Sequence, residues 1–269
     1  MSNQQSTINN QQSIINNQNK RINSTITFYQ KTTKERIMAV FDKHANAYDS
    51  WFMENENLLL SELKLVAHFL DKDSNILSIG CGSGLFEMLL ARDYDIHIKH
   101  GIEPSKDMAE IAKKRGLNVE VNTAEAADIE PNTFDIIMFN GSVSYISDLA
   151  LCINKACAAL KPGGKLILID VPKESGFASL YNLASAVGTW DHQLLAQISP
   201  KDPYPIELVR TANWRTSDEK IELMQAAGLT NFKYAQTLLT HPMFANDKVQ
   251  DVIDGYDRGD YVAICAQKS

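Results

Sequence analysis

A run of alternating glycines and one well-spaced acid give the first chemical reading of this chain. Gly80-Cys81-Gly82-Ser83-Gly84 follows a short, mostly apolar run, Asn75 to Ile79, and precedes a helical stretch from Leu85 to Arg92. Glycine tolerates the tight backbone such a turn needs, and the helix start behind it turns N–H groups toward a ligand. An ordinary strand-to-helix connection would use the same residues, so spacing has to decide. Glu103 stands 19 residues after Gly84, at the end of a second apolar run, Ile98 to Ile102. A carboxylate there can accept hydrogen bonds from both hydroxyls of a ribose, as in nucleoside-cofactor folds. Dinucleotide binding asks for G-x-G-x-x-G, and Leu85 occupies the place of the last glycine. The loop therefore favours a mononucleoside cofactor without pyrophosphate, and an oxidoreductase acting with a dinucleotide is the weaker reading.

These residues need rigid elements beneath them, and the hydrophobic rhythm supplies them. Ile37, Val40 and Phe41 lie on one helical face, followed by the aromatic cluster Tyr48, Trp51 and Phe52 and by Leu59, Leu63, Val66 and Leu70 at helical spacing. Strands are predicted over 75–79, 98–102, 117–121, 134–139 and 165–170, with helices over 85–92, 106–115 and 149–160 between them. Lys161-Pro162-Gly163-Gly164 stops the last of those helices. Such alternation predicts a parallel sheet covered on both faces. Ser217 caps a helix over 218–227, and strands over 232–239 and 259–266 pair antiparallel. The expected fold is a doubly wound, Rossmann-like α/β domain whose seven-stranded sheet is mostly parallel with an antiparallel last strand. It spans residues 35–269, behind a disordered Asn/Gln-rich tail over 1–34. Within it, 172–216 reads as irregular, with Pro200, Pro203 and Pro205 close together, and is expected to be a substrate-binding insertion or lid.

In order along the chain, further motifs join the glycine loop. Gly101-Ile102-Glu103-Pro104-Ser105 with Met108, then Ala124-Glu125, Phe134 to Gly141, Leu160 to Gly164, and Ala226-Ala227-Gly228-Leu229 with Phe232 follow one another. Together with Ile76 to Gly84, this series resembles the class I S-adenosylmethionine (SAM)-dependent methyltransferases. Ala47-Tyr48-Asp49 with Trp51 is similar to a segment of their small-molecule branch, which includes ubiquinone-type enzymes. The resemblance covers about residues 45 to 170 well and 217 to 267 more loosely. It implies SAM as cofactor, with Gly80, Cys81 and Gly82 under its methionyl part and Glu103 on the ribose. Pro104 and Met108 would flank the adenine, Thr123 and Ala124 would meet its edge, Asn140 and Gly141 would line the floor near the sulfonium, and Tyr48 would close over the methionine end. Two positions depart from the family pattern, Ser78 and Thr123, where an acid is usual.

The implied activity is methyl transfer by direct displacement to a small organic acceptor. Acceptor-side candidates are His44, Trp51, Tyr145, Trp190, Tyr204 and Trp214, with His192 as the candidate catalytic base because imidazole titrates near neutral pH. A lone loop histidine is more often structural. Asn140-Gly141-Ser142-Val143 lacks the Asn-Pro-Pro-Tyr-like run associated with methylating amides of protein or exocyclic amines of DNA. The other reading of the same motifs is a non-catalytic SAM-fold protein that binds or regulates a partner.

Composition narrows the partners. The net charge of −7 argues against a broad basic surface for nucleic acid. Cys81, Cys152, Cys157 and Cys265 form no CxxC pair and no metal-ligand spacing, so they read as free thiols, with no metal expected. Scattered cysteines also argue against arsenic as the acceptor. No run is long and apolar enough to span a membrane. A cytoplasmic location is expected, with mitochondrial targeting the alternative because the tail is basic and has no acid before Glu35.

Overall fold

The computed structural model describes residues 40–42, 45 and 47–269; the Asn/Gln-rich tail, its targeting reading and His44 lie outside the described residues. Three apolar runs form the centre of the sheet: β1 (Ile76–Ile79), β4 (Phe134–Asn140) and β5 (Leu160–Asp170). They are apolar on both faces because parallel strands in such a sheet are covered on both sides. Alternation divides their side chains. Ile76, Ile136, Met138, Ile167 and Ile169 pack toward one layer with α2 (Glu56–Ala67), α3 (Leu85–Tyr94) and α6 (Gly176–Val187). Leu77, Ile79, Ile137, Phe139, Leu166 and Leu168 pack toward the other with α5 (Leu149–Ala159) and α8 (Ser217–Ala226). A further helix, α1, includes residues 47–54, and α4 (Lys106–Lys114) covers the sheet beside β2 (His100–Ile102) and β3 (Asn118–Glu120).

The strand order is β3-β2-β1-β4-β5-β8-β6-β7, where β6 is Leu229–Thr237, β7 Ile253–Asp254 and β8 Tyr261–Lys268. The first five strands are parallel, and β8 runs antiparallel between β5 and β6, with Leu166 opposite Ala266 and Tyr234 opposite Ile264. The predicted topology therefore holds with one addition. The sheet has eight strands rather than seven, because two residues of β7 pair with the edge of β6. A two-residue edge strand leaves no alternation to read. Progression reverses between β1 and β4, which opens a crevice at their carboxyl ends, the usual ligand position in such sheets.

Two local readings need correction. The stretch 172–216 is not irregular throughout, since it begins with the 12-residue helix α6 and also holds the short helix α7 (Ile206–Val209). Phe177, Leu180, Tyr181 and Ala184 give α6 its buried face, but alanines and serines dilute the pattern. Its ends were marked nonetheless: Ser175 Oγ accepts the Ala178 N–H at 3.1 Å, and Gly188 closes it at φ 88°. Asp260, just before β8, adds a carboxylate at that N-terminus, accepting the Gly176 N–H at 2.6 Å. The second correction is the cap of α8, which is Thr216 and not Ser217. Thr216 Oγ1 accepts the Glu219 N–H at 3.1 Å, and Glu219 Oε2 accepts the Thr216 N–H at 2.7 Å, a reciprocal capping box.

Candidate active site

The glycine loop connects β1 to α3 at the crevice. Gly80, Gly82 and Gly84 all have left-handed backbones, at φ 72°, 54° and 73°. Gly80 is also sterically required, because a Cβ there would lie 2.4 Å from Ser142 Cβ. Gly82 is different: a Cβ would meet nothing within 4 Å, so the turn borders open space that a ligand can fill. Cys81 is buried, and burial pushes its thiol well above the usual range, which leaves it a packing group.

Glu103 ends β2 beside that turn. Its Oε2 accepts the Gly82 N–H at 2.9 Å and its Oε1 accepts the Ser105 N–H at 2.8 Å. Burial raises it to about 7 in spite of those two donors. Pro104 leads into α4, whose cap is Ser105 Oγ accepting the Met108 N–H at 3.2 Å, and Met108 is fully buried. Thr123 Oγ1 accepts the Ala126 N–H at 3.3 Å and Ala124 is buried next to it, both in the turn after β3.

Ser78 has a buried acid as its partner. Ser78 Oγ donates to Glu87 Oε1 at 2.6 Å, and the other oxygen of this buried Glu87 has no hydrogen-bond partner among the described residues. Sequence reading singled out Ser78 but not its partner, which comes from α3, the helix that directly follows the loop. Above the loop, Asp49 holds α1 in place. Its Oδ1 accepts from Ser83 Oγ at 2.5 Å, its Oδ2 pairs with Arg115 at 2.5 Å, and Arg115 also donates to the Ser83 carbonyl at 2.9 Å.

At the carboxyl end of β4 lies a cavity of about 70 Å³. It brings together Tyr48, Asn140 and Gly141, expected beside the cofactor, with Trp51, Tyr145, Tyr204 and Trp214, expected beside the acceptor. Remote contacts fix these rings. Tyr204 and Trp51 meet edge to face at 5.0 Å, while the Trp51 indole N–H donates to the Asp202 carbonyl at 3.1 Å. Tyr145 sits in a 3-10 turn, Val143–Tyr145, held from below. Ser144 Oγ donates to Asp170 Oδ2 at 2.6 Å, and Arg215 donates to the carbonyls of Val143 and Ile146. Asp170 and Lys220 are both buried 3.7 Å apart, and burial pushes each toward its neutral form.

Two expected acceptor-side residues lie elsewhere. Trp190 stands behind the cavity, where its indole N–H donates to the Tyr204 carbonyl at 2.8 Å and its ring meets Tyr181 edge to face. His192 is not among the lining residues. Its Nδ1 accepts the Leu194 N–H at 3.2 Å, and its carbonyl accepts from Leu195 and Ala196, so it caps a turn. Conversely, Glu62, Phe86, Tyr181 and Tyr261 line the cavity without having been singled out. Tyr261 donates its hydroxyl to Asn140 Oδ1 at 2.7 Å. Glu62 carried a readable signal, an acid between Leu59, Leu63 and Val66 on the apolar side of α2.

A family model described as a methyltransferase domain matches residues 52–234. This chain belongs to the SAM-dependent methyltransferases. An uncharacterized protein of Methanocaldococcus jannaschii is 31% identical over 231 residues, covering 86% of this methyltransferase and 100% of that protein. The crystal structure of a SAM-dependent methyltransferase from Thermotoga maritima, described as a possible histamine N-methyltransferase, is 30% identical with a TM-score of 0.72 over 86% of this chain and 99% of its own. A malonyl-acyl-carrier-protein O-methyltransferase of Priestia megaterium is 28% identical over 141 residues, half of each chain. SAM is therefore the cofactor of this methyltransferase, and the open turn at Gly82 beside Glu103 fits it. All four cysteines are free and buried, no group of described residues could hold a metal ion, and no described helix is long and apolar enough to cross a membrane.

Proposed function

We propose that this methyltransferase modifies a small organic acceptor that enters the aromatic cavity. The observation that carries this reading is the continuity of the cavity lining, which joins Tyr48, Asn140 and Gly141 to Trp51, Tyr145, Tyr204 and Trp214. SAM supplies an electrophilic methyl carbon, transferred as the acceptor's lone pair forms the new bond and the carbon–sulfur electron pair stays on sulfur. The protein's task is then alignment and exclusion of water. Glu103 orients the ribose through its carboxylate, which two backbone N–H groups hold at the end of β2. Gly80, Cys81 and Gly82 pass beneath the methionyl end, Pro104 and Met108 border the adenine, and Thr123 and Ala124 meet its edge. The paired Asn140 and Tyr261 keep the floor rigid beside the reacting carbon.

The segment 172–216 acts as the acceptor-side cover, since it contributes Tyr181, Tyr204 and Trp214 to the lining. The four free thiols support a reducing, cytoplasmic setting. Relatives do not choose the acceptor atom, because the Priestia enzyme is named for oxygen and the Thermotoga protein for nitrogen. The test is calorimetric titration with SAM and S-adenosylhomocysteine, followed by an acceptor screen that reads S-adenosylhomocysteine formation. Micromolar binding of both and turnover with a small acceptor are expected. Binding without turnover on any small acceptor would point to the regulatory reading, and absence of SAM binding would end both.

A further inference from the structure

Glu62 does something that alignment of a methyl group does not require. It is 8% exposed and lines the cavity, and its carboxyl group makes no hydrogen bond or ion pair with another described residue. Tyr48 of α1, Tyr181 of α6, Tyr261 of β8 and Asp170 of β5 face it. Asp170 is already engaged by Ser144 and Lys220, so Glu62 is the one acid without a partner in this lining. An isolated carboxylate is expensive to bury, and a cation beside it removes that cost. The walls suit a cation too, because the rings of Tyr and Trp present negative faces. No Lys, Arg or His lines the cavity, so nothing in it would welcome a carboxylate or phosphate acceptor.

We propose that the acceptor is a small amine entering as its ammonium form, and that Glu62 both binds this cation and takes the proton its nitrogen must lose. The inference rests on the reading above, that the cavity is the acceptor side of a working methyltransferase. An ammonium N–H passes its proton to the Glu62 carboxylate. The freed nitrogen lone pair then bonds the donated methyl carbon, the carbon–sulfur bond breaks, and its electrons stay on sulfur. The products are a methylated ammonium, a neutral thioether and a protonated Glu62, so charge is conserved. Burial raises Glu62 to about 8, far closer to an alkylammonium at about 10.4 than an ordinary glutamate at about 4.3.

The test uses three probes of one size, n-propylamine, n-propanol and propionate, bound to the full chain saturated with S-adenosylhomocysteine. Tryptophan fluorescence reads binding, since Trp51 and Trp214 line the cavity. The amine should bind roughly tenfold more tightly than either isostere. Glu62→Gln should erase that preference while its SAM affinity stays within about threefold of wild type, which also shows that the variant is folded. Glu62→Asp, which keeps the charge, should retain part of the preference. The proposal is overturned if wild type binds all three alike or none, if it prefers an isostere, or if Glu62→Gln keeps the preference. It is equally overturned if Glu62→Gln costs more than about tenfold in SAM affinity, because Glu62 would then serve the cofactor. Failure of wild type to bind SAM removes the methyltransferase reading itself, a separate result.

Discussion

The proposed cofactor region is made mostly of backbone at the ends of β1 and β2, whereas the cavity is lined by side chains scattered from Tyr48 to Tyr261. On the first side, three left-handed glycines and two N–H groups on Glu103 fix positions through local geometry. On the second, rings from α1, α6 and two loops hold one another, as Tyr181 and Trp214 do in a 5.3 Å stack. The difference separates two kinds of specificity. Backbone geometry suits one constant ligand, while interlocking side chains can be exchanged to suit another acceptor without disturbing the first.

That separation is most easily broken at Glu103. Glu103→Ala is expected to weaken SAM binding by roughly 10- to 150-fold, the about 1.5–3 kcal/mol of a charged hydrogen bond. Calorimetry on the variant measures it, and acceptor KM at saturating SAM should stay near wild type. Unchanged SAM affinity would show that the ribose is held elsewhere. A smaller effect is expected where the two sides touch. Asp49 and Arg115 tie α1, which carries Tyr48 and Trp51, to Ser83 of the cofactor loop. Arg115→Ala should cost about 1–2 kcal/mol in SAM binding, or roughly 5- to 30-fold, and Asp49→Ala should add little to it. Full additivity in that double-mutant cycle would mean the two residues do not act as one latch.

Legibility in the sequence divides along the same line. Gly80 to Gly84, Glu103 and the strand alternation could be read because each is a local pattern with one physical cause. The antiparallel placement of β8 followed from the same rhythm, although β7 was too short to leave a trace. Glu87 and Tyr261 act through neighbours 9 and 121 residues away in sequence, Ser78 and Asn140, and no spacing rule links such pairs. Tyr145, Tyr204 and Trp214 were found by residue type alone, and the same criterion also selected Trp190, which supports the cavity from behind. Glu62 shows what a closer reading could recover, because an acid within an apolar helical stripe is itself an anomaly.

Three buried acids leave one shared signature. Burial raises Glu62 to about 8, Glu103 to about 7 and Asp260 to about 6. The folded chain therefore keeps protons that the unfolded chain has released, and stability falls as pH rises from about 4 through about 8. The cofactor-free protein should melt about 5 °C lower at pH 8.5 than at pH 5.5. Glu62→Gln should flatten the upper part of that slope and Asp260→Asn the lower part. A flat profile in wild type would mean these carboxyls are ionised at little cost, and would weaken the contrast drawn between Glu62 and a solvated acid.

The smallest expected effect is the sharpest test of where the acceptor side ends. His192 was the attractive base for its residue type and its place within 172–216, and Trp190 beside it supports Tyr204. Its ring nitrogen, however, is occupied by the Leu194 N–H, and the residue caps a turn outside the lining. His192→Ala should leave kcat and KM within about twofold of wild type and cost at most about 1 kcal/mol of stability, the value of a lost cap. His192→Asn, which can restore the cap, should return that stability. If His192→Ala instead lowered kcat by roughly 100-fold or more, as removal of a general base does, the turn at 192 would have to close onto the cavity during turnover. The acceptor side would then extend beyond the aromatic rings, and Glu62 would share the proton's path.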